Sequence, residues 1–149
     1  MLVRLYELPP PVESPNGVEI RRPLAPEKGI VLDWIRGHFS AGWANEAEVT
    51  FGRLPITMHI ALERGAIVGF ACYDATCRDF FGPTGVAPDC RGRGIGRALL
   101  VCSLYAMREA GYAYAIIGGA GPGDFYARSV GAFPIEGSSP GVYRGMLKP

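Results

Sequence analysis

The chain has 149 residues and a formal net charge of +1, with 48% hydrophobic and 19% charged residues. This length predicts one domain, residues 1–149, and the composition is that of a globular chain rather than a disordered one. The near-neutral charge provides no broad basic field, so we expect no nucleic-acid partner. No apolar run approaches the roughly 18 residues that a membrane span needs, so we expect no membrane partner.

The N-terminus and the cysteines predict a cytoplasmic protein with reduced thiols. Residues 1–5 contain no long apolar stretch followed by a cleavage site, which argues against secretion. The four cysteines show no CxxC spacing and lie in apolar or helical contexts. We therefore expect neither a disulfide framework nor a metal site.

Strands and helices alternate in the first third of the chain. Residues 1–17 are rich in proline and predict a loop, with Leu2–Leu8 as an edge strand or a surface segment. Val18–Arg21 alternates apolar and polar residues, which predicts a strand. A helix is expected from Pro26 to just before Gly42, and a second short helix at Trp43–Phe51.

Three strands are expected next. Ile56–Glu63 and Ala66–Ala75 predict a hairpin that turns at Arg64-Gly65. Phe80–Ala87 predicts a further strand, which Gly82-Pro83 interrupts because proline cannot donate to a sheet ladder.

The second half predicts two helices and the rest of the sheet. Apolar residues recur at helical spacing in Gly94–Glu109, which predicts a long amphipathic helix. The apolar run Tyr112–Gly118 predicts a central strand covered on both faces, and Asp124–Val130 a short helix. Pro134-Ile135 and Val142–Leu147 are expected to close the sheet. The whole order predicts a mixed α/β sheet with flanking helices.

The segment Arg91–Gly96, of sequence RGRGIG, is a glycine-rich turn at the start of the long helix. The N–H groups of a first helical turn lack intrahelical partners, and the helix dipole adds partial positive charge there. This predicts a phosphate or pyrophosphate site. A Walker loop is excluded because Arg97-Ala98 follows Gly96 where Lys-Ser/Thr is needed. A dinucleotide fingerprint is excluded because Arg97 stands at its third glycine.

Arg91, Gly94 and Gly96 match the pattern Arg/Gln-x-x-Gly-x-Gly/Ala in full, and the flanking residues 86–88 and 98–100 agree with it. In this window the chain resembles the GNAT superfamily of acetyl-CoA-dependent N-acyltransferases. The resemblance implies a GNAT-like fold in which two neighbouring parallel strands splay apart to admit the co-substrate. Here those strands would be Phe80–Ala87 and Tyr112–Gly118.

The resemblance also implies acetyl-CoA as co-substrate. Backbone N–H groups near the glycine-rich turn would hold the pyrophosphate, and the strand before it would lie along the pantetheine arm. A bulge near Gly82-Pro83 or Gly85 would free an N–H group for the carbonyl oxygen of the thioester. The expected co-substrate residues are Thr84, Gly85, Val86, Ala87, Arg91, Gly92, Arg93, Gly94, Ile95, Gly96, Arg97 and Phe125.

Tyr126 matches, by resemblance, a tyrosine that serves as general acid toward the leaving thiolate. The alternative is a tyrosine that only packs against the CoA arm. The chain departs from the family pattern in the spacing between Tyr126 and the Gly-x-Phe of residues 131–133. It also departs in the glycine-rich segment 118–123, where an asparagine is common. Those glycines would let the backbone approach the ligand closely.

Glu46 is the candidate base, and Trp43 with Glu46 is the candidate pair for a cationic acceptor, since it joins an aromatic face to a carboxylate. Other carboxylates and imidazoles, or a water chain, could act as base instead; the protein candidates are Glu48, Asp74, His38 and His59. The expected function is N-acetylation of a small-molecule primary amine. The alternative is a sensory module that binds acyl-CoA without turnover. Val142 and Met146 would serve either a homodimer contact or the core.

Overall fold

The computed structural model describes residues 1–148, which form six strands and four α-helices. The strands are β1 (Leu2–Arg4), β2 (Val18–Arg21), β3 (Met58–Glu63), β4 (Ala66–Tyr73), β5 (Phe80–Val86) and β6 (Tyr114–Ile117). The helices are α1 (Lys28–His38), α2 (Ala41–Thr50), α3 (Ile95–Glu109) and α4 (Gly123–Val130).

The six strands form one sheet in the order β1-β6-β5-β4-β3-β2. Every neighbouring pair is antiparallel except β5 and β6, which are parallel. The predicted mixed α/β sheet is therefore confirmed, and its one parallel pair is the pair that was expected to splay.

The splay between β5 and β6 begins after two residue pairs. Phe80 pairs with Ile116 and Phe81 with Ile117, whereas β5 continues to Val86 without a partner on that side. On the other side of β5 the register against β4 shifts between Ala71 and Tyr73. This irregularity lies opposite Gly82-Pro83 and is the bulge expected there, whereas the expected break is not found, because β5 continues through these residues.

The two faces of the sheet bury separate apolar clusters because side chains alternate along each strand. On β3, Met58 and Ile60 join the cluster under α1 and α2, while Ala61 joins the cluster under α3. Phe70 on β4 lies in the first cluster and Leu99 on α3 in the second. The helices thus cover both faces and leave the gap beside β5 at the middle of the sheet.

The predicted C-terminal strands are wrong. Phe133 makes only an isolated bridge to Leu2, and Gly141–Tyr143 is a short 3-10 turn. Two features of this segment disfavour a strand: Pro140 lacks an N–H donor, and Gly141 and Gly145 have φ angles of +62° and +78°. The N-terminal strand β1 pairs with β6 instead, so the edge-strand prediction for this region is confirmed.

All four helix starts differ from the expected ones by one or two residues; α1 begins at Lys28 rather than Pro26, and α4 at Gly123 rather than Asp124. Helix α2 begins at Ala41 because Ser40 caps it, its Oγ accepting a hydrogen bond from Trp43 N at 3.1 Å. Helix α3 begins at Ile95 because Gly94, with φ +83°, is the left-handed residue before it.

Among residues 1–148, no helix combines the length and the apolar character that a membrane crossing requires.

Candidate active site

The glycine-rich turn leads into α3 as an open helix N-terminus. Gly92 and Gly94 have φ angles of +76° and +83°, a left-handed conformation that glycine adopts without strain. No side chain caps the helix at Gly94. The N–H groups of the first turn therefore point outward from the turn without an intrahelical acceptor, which is the geometry of an anion site.

Two of the three arginines near this turn have protein partners. Arg91 Nε donates a hydrogen bond to Val86 O at 3.0 Å and so ties the turn to the end of β5. Arg93 forms a fork with Glu63, with distances of 2.5 and 3.2 Å, and this contact lowers the pKa of Glu63. Arg97 takes part in no ion pair within residues 1–148. The groups at the turn that can meet an anion are therefore the backbone, Arg97 and the terminal nitrogens of Arg91, whose charge is not neutralised by a carboxylate within residues 1–148.

The splayed end of β5 presents backbone donors to the gap. Ala87 N donates to Val68 O at 2.9 Å, so Ala87 and, two residues earlier, Gly85 face β4. Because bonded and non-bonded positions alternate in an antiparallel ladder, Thr84 and Val86 direct their N–H groups away from β4. Of the four residues predicted to contact the co-substrate here, Thr84 and Val86 have backbone donors that face the gap.

Close packing joins the turn to the strand and to α4. A Cβ atom on Gly96 would lie 3.6 Å from Val86 Cγ2 and 3.8 Å from Phe125 Cζ. A Cβ atom on Gly85 would lie 2.5 Å from Phe39 Cζ, so any side chain at this position would displace that ring. The structure therefore brings the predicted segments 84–87, 91–97 and Phe125 together along one line.

A cavity of about 710 Å³ continues from this line at the splay. It brings together both predicted catalytic residues, Glu46 and Tyr126, with Trp43. Its full lining is Gly42, Trp43, Glu46, Thr76, Cys77, Phe81, Gly82, Pro83, Thr84, Ile117, Gly118, Gly119, Gly121, Tyr126, Val142, Tyr143 and Met146.

Tyr126 on α4 is almost buried, with 6% of its surface exposed. Its ring meets Phe125 and Phe81 edge-on, at centroid distances of 5.0 and 6.4 Å. Burial raises the pKa of Tyr126, because it disfavours the phenolate. The hydroxyl is therefore a neutral proton donor at pH 7.

Glu46 on α2 is held toward the cavity by a neighbour from another part of the chain. Thr76 Oγ1, in the turn between β4 and β5, donates a hydrogen bond to Glu46 Oε1 at 2.6 Å. Trp43 lies one turn earlier on α2, and its ring stacks on Phe39 at a centroid distance of 5.2 Å. The carboxylate and the indole therefore have fixed positions on one wall.

Sequence reasoning missed Thr76, Cys77 and Tyr143 as lining residues. They come from a turn and from the C-terminal segment, and no spacing or motif marks them. Tyr143 packs against a glycine: a Cβ atom on Gly118 would lie 2.9 Å from Tyr143 Oη. This contact gives part of the glycine-rich segment after β6 a packing role within the protein.

Asp74 and His59, two of the other candidate bases, are engaged in structural contacts outside the cavity. Asp74 accepts hydrogen bonds from Asp79 N at 2.8 Å and from the Tyr112 hydroxyl at 3.0 Å. His59 bonds through Nδ1 to Ser103 Oγ at 3.0 Å beneath α3, and burial lowers the pKa of His59 to about 4.

The remaining two candidates are also turned elsewhere. Glu48 forms an exposed ion pair with Lys28 at 2.7 Å, and His38 Nδ1 contacts Trp34 O at 2.9 Å. Neither lines the cavity.

A family model for the acetyltransferase (GNAT) domain matches residues 55–129 of the chain. The chain belongs to the GNAT acetyltransferases. The matched region runs from just before β3 into α4, so it includes the splayed strands, the glycine-rich turn and Tyr126.

Solved GNAT structures share this fold. A GCN5-related N-acetyltransferase from Sphaerobacter thermophilus aligns with a TM-score of 0.65 and 22% identity, over 86% of this chain and 45% of that one. A GNAT family acetyltransferase from Brucella melitensis, in complex with acetyl-CoA, aligns with a TM-score of 0.59 and 18% identity, over 74% of this chain and 80% of that one.

A third similar structure is a GCN5-related glucosamine N-acetyltransferase region of a fungal multi-domain GH3 β-N-acetylglucosaminidase. It gives a TM-score of 0.68 and 14% identity, over 87% of this chain and 19% of that one. The chain thus spans less than half of the Sphaerobacter and fungal proteins. No curated protein sequence matches the chain.

Proposed function

We propose that this GNAT acetyltransferase moves an acetyl group from acetyl-CoA to a primary amine of a small molecule. The observation that carries the proposal is the cavity at the splay, which Tyr126, Glu46 and Thr84 of β5 line together. Further support comes from the Brucella structure of the same fold, which is a complex with acetyl-CoA.

The glycine-rich turn would bind the diphosphate of the co-substrate. Its outward N–H groups and the N-terminus of α3 favour an anion, and Arg97 adds a formal positive charge. The other proposed contacts follow the gap inward, from Phe125 and Val86 to Thr84. This path brings the thioester to the cavity.

The N–H group of Thr84, which lines the cavity, would stabilise the developing oxyanion, whereas that of Val86, two residues further along the extended strand, would bind the pantetheine arm. Donors that are already fixed by a strand need no reorganisation when negative charge builds on the carbonyl oxygen. In the reaction the amine nitrogen bonds to the carbonyl carbon, and the carbon–sulfur bond breaks.

Glu46 and Tyr126 would carry the three proton transfers, two away from the nitrogen and one to the leaving thiolate. An alkylamine is mostly protonated at pH 7, since a typical amine pKa is about 10.4, so a base must take a proton before attack. Glu46 would accept that proton, directly or through water, and release it to solvent. It would then accept the second proton, which the nitrogen loses after it has bonded to the carbonyl carbon. Tyr126 would donate its hydroxyl proton to the leaving thiolate and recover one from solvent.

Thiol release from acetyl-CoA, measured with and without a panel of amines, tests the proposal. We expect release that depends on the amine, together with a new amide in the product mixture. Coenzyme binding without amine-dependent release would favour the acyl-CoA-binding sensory module. Absence of coenzyme binding would contradict both readings.

A further inference from the structure

The charge of the cavity restricts which amines it can hold. Within residues 1–148, its lining contains one carboxylate, Glu46, and no Lys, Arg or His side chain. The hydroxyl of Thr76 donates its hydrogen bond to Glu46. An ammonium group would meet an oriented carboxylate here, whereas an acidic group on the acceptor would meet no cation.

The rest of the lining is mostly apolar and partly exposed; its other hydroxyl groups are those of Thr84, Tyr126 and Tyr143. Trp43, Val142 and Met146 expose 36%, 55% and 65% of their surfaces. Phe81 and the ring of Tyr143 line the same cavity. A ligand with an apolar body would cover these surfaces, and the removal of apolar area from water is favourable.

We infer that the acceptor is a primary monoamine with an apolar body and no acidic group. This inference rests on the proposed acetyl transfer and narrows its acceptor. The ammonium group would approach Glu46, and the body would lie against Trp43, Val142 and Met146. The aromatic face of Trp43 adds a cation–π contact near the ammonium.

The same lining disfavours two common kinds of amine. The carboxylate of an α-amino acid lies two bonds from its nitrogen, so it would enter the cavity beside Glu46 without a positive partner, which is costly in a partly buried site. An amino sugar would bring several hydroxyl groups, and each desolvated hydroxyl without a partner carries its own penalty.

The test is a pair of acceptors that differ by one group, 2-phenylethylamine and L-phenylalanine. We expect kcat/KM for thiol release to be at least roughly 100-fold higher with 2-phenylethylamine, because the unpaired carboxylate must be desolvated. L-phenylalaninamide, in which a neutral amide replaces that carboxylate, should recover most of the difference. Equal activity, or a preference for L-phenylalanine, would overturn the inference.

Glu46→Gln checks that the preference has an electrostatic origin. The substitution removes the charge that repels a carboxylate, so the ratio of kcat/KM between the two acceptors should narrow by about tenfold even though both rates fall. An unchanged ratio of kcat/KM would show that the charge of Glu46 does not discriminate between the two acceptors, and it would contradict the account.

Acceptor binding separates this inference from the proposed function. Quenching of Trp43 fluorescence in the CoA-loaded protein reports occupancy of the cavity, with Trp43→Phe as the control for the signal of Trp34. Quenching by 2-phenylethylamine but not by L-phenylalanine supports the inferred class even if no thiol is released, an outcome that overturns the transferase proposal alone. Equal quenching, or none with either compound, overturns the class.

Discussion

The two ends of the central gap are built in different ways. The proposed co-substrate end consists of backbone from one stretch of chain, residues 84–97, in which Gly92 and Gly94 have left-handed φ angles. The proposed acceptor end consists of side chains from α2, from the turn after β4, from α4 and from the C-terminal segment. A site made of backbone requires particular residues, such as glycine, at neighbouring positions of the sequence. A cavity made of side chains requires only that distant residues meet in the folded chain, so it leaves no local pattern.

Because the two ends are built from different residues, a substitution at one end should leave the property that depends on the other end unchanged. Changes in the turn should alter coenzyme affinity, and changes in the cavity should alter turnover and acceptor choice. The following variants test that separation, in order of decreasing effect on activity.

Tyr126→Phe is expected to have the largest effect. Loss of the hydroxyl removes the proposed proton donor, so kcat should fall by roughly 100-fold while the Kd for CoA stays within about twofold. Stopped-flow or steady-state measurement of thiol release gives kcat, and calorimetry gives the Kd.

Tyr112→Phe is the matched control, because this tyrosine bonds to Asp74 outside the cavity. It should leave kcat unchanged. If Tyr126→Phe also retained full turnover, Tyr126 would be a packing residue and the proposed acid role would be wrong.

Glu46→Gln should lower kcat/KM by roughly 30-fold with a good acceptor, since the base and the cation partner are lost together. Glu48→Gln is the control on the same helix. Its pair with Lys28 is exposed and screened by solvent, so activity should not change. Equal losses in the two variants would show that the effect comes from α2 stability rather than from the cavity.

Gly94→Ala should weaken CoA binding about tenfold, because a left-handed alanine costs roughly 1–2 kcal/mol and shifts the turn. Gly65→Ala is the matched control: Gly65 has φ +77° in the β3–β4 turn, away from the gap. Both variants should lose similar thermal stability, but only Gly94→Ala should lose affinity for CoA. A similar CoA affinity in both would separate the turn from coenzyme binding.

His59 tests a titratable group that belongs to neither end. Its pKa, lowered to about 4 by burial and by Arg22, lies below the ordinary value of 6.5, so the unfolded chain takes up a proton before the folded one does. The contribution of the neutral His59 to the free energy of unfolding is complete above pH 6.5. It is lost as the pH falls toward 4, with a total of about 2–3 kcal/mol.

Urea unfolding of wild type and His59→Gln at pH 7.5 and pH 4.5 measures this loss. The variant should show a smaller drop in the free energy of unfolding between the two pH values, and its activity at pH 7.5 should match that of wild type. An equal drop in both proteins would exclude His59 as the source.

The same difference between the two ends explains what could be predicted from the sequence. The glycine-rich turn, the splayed strands and the bulge at Gly82-Pro83 are local consequences of glycine and proline, and the structure confirms them as features of the fold. The C-terminal strands were predicted wrongly because apolar residues such as Val142 and Met146 suggested pairing. Glycine and Pro140 disfavour a strand there, and β1 from the far end of the chain occupies the place beside β6.

The acceptor wall was predicted in part. Trp43 and Glu46 were found because an aromatic and a carboxylate occur one helical turn apart, which is a local pattern. Thr76 and Tyr143 could not be found, because their place in the cavity depends on a turn and a terminal segment that meet only in the folded chain.

Calorimetry with CoA and with pantetheine, which lacks the diphosphate and the 3′-phosphoadenosine attached to it, tests the central claim most directly when wild type and Gly94→Ala are compared. If the N–H groups at the start of α3 hydrogen-bond to the diphosphate, CoA should bind at least roughly 100-fold more tightly than pantetheine. This difference in affinity should be smaller in Gly94→Ala. Equal affinities for the two compounds, or no heat with CoA, would contradict the account.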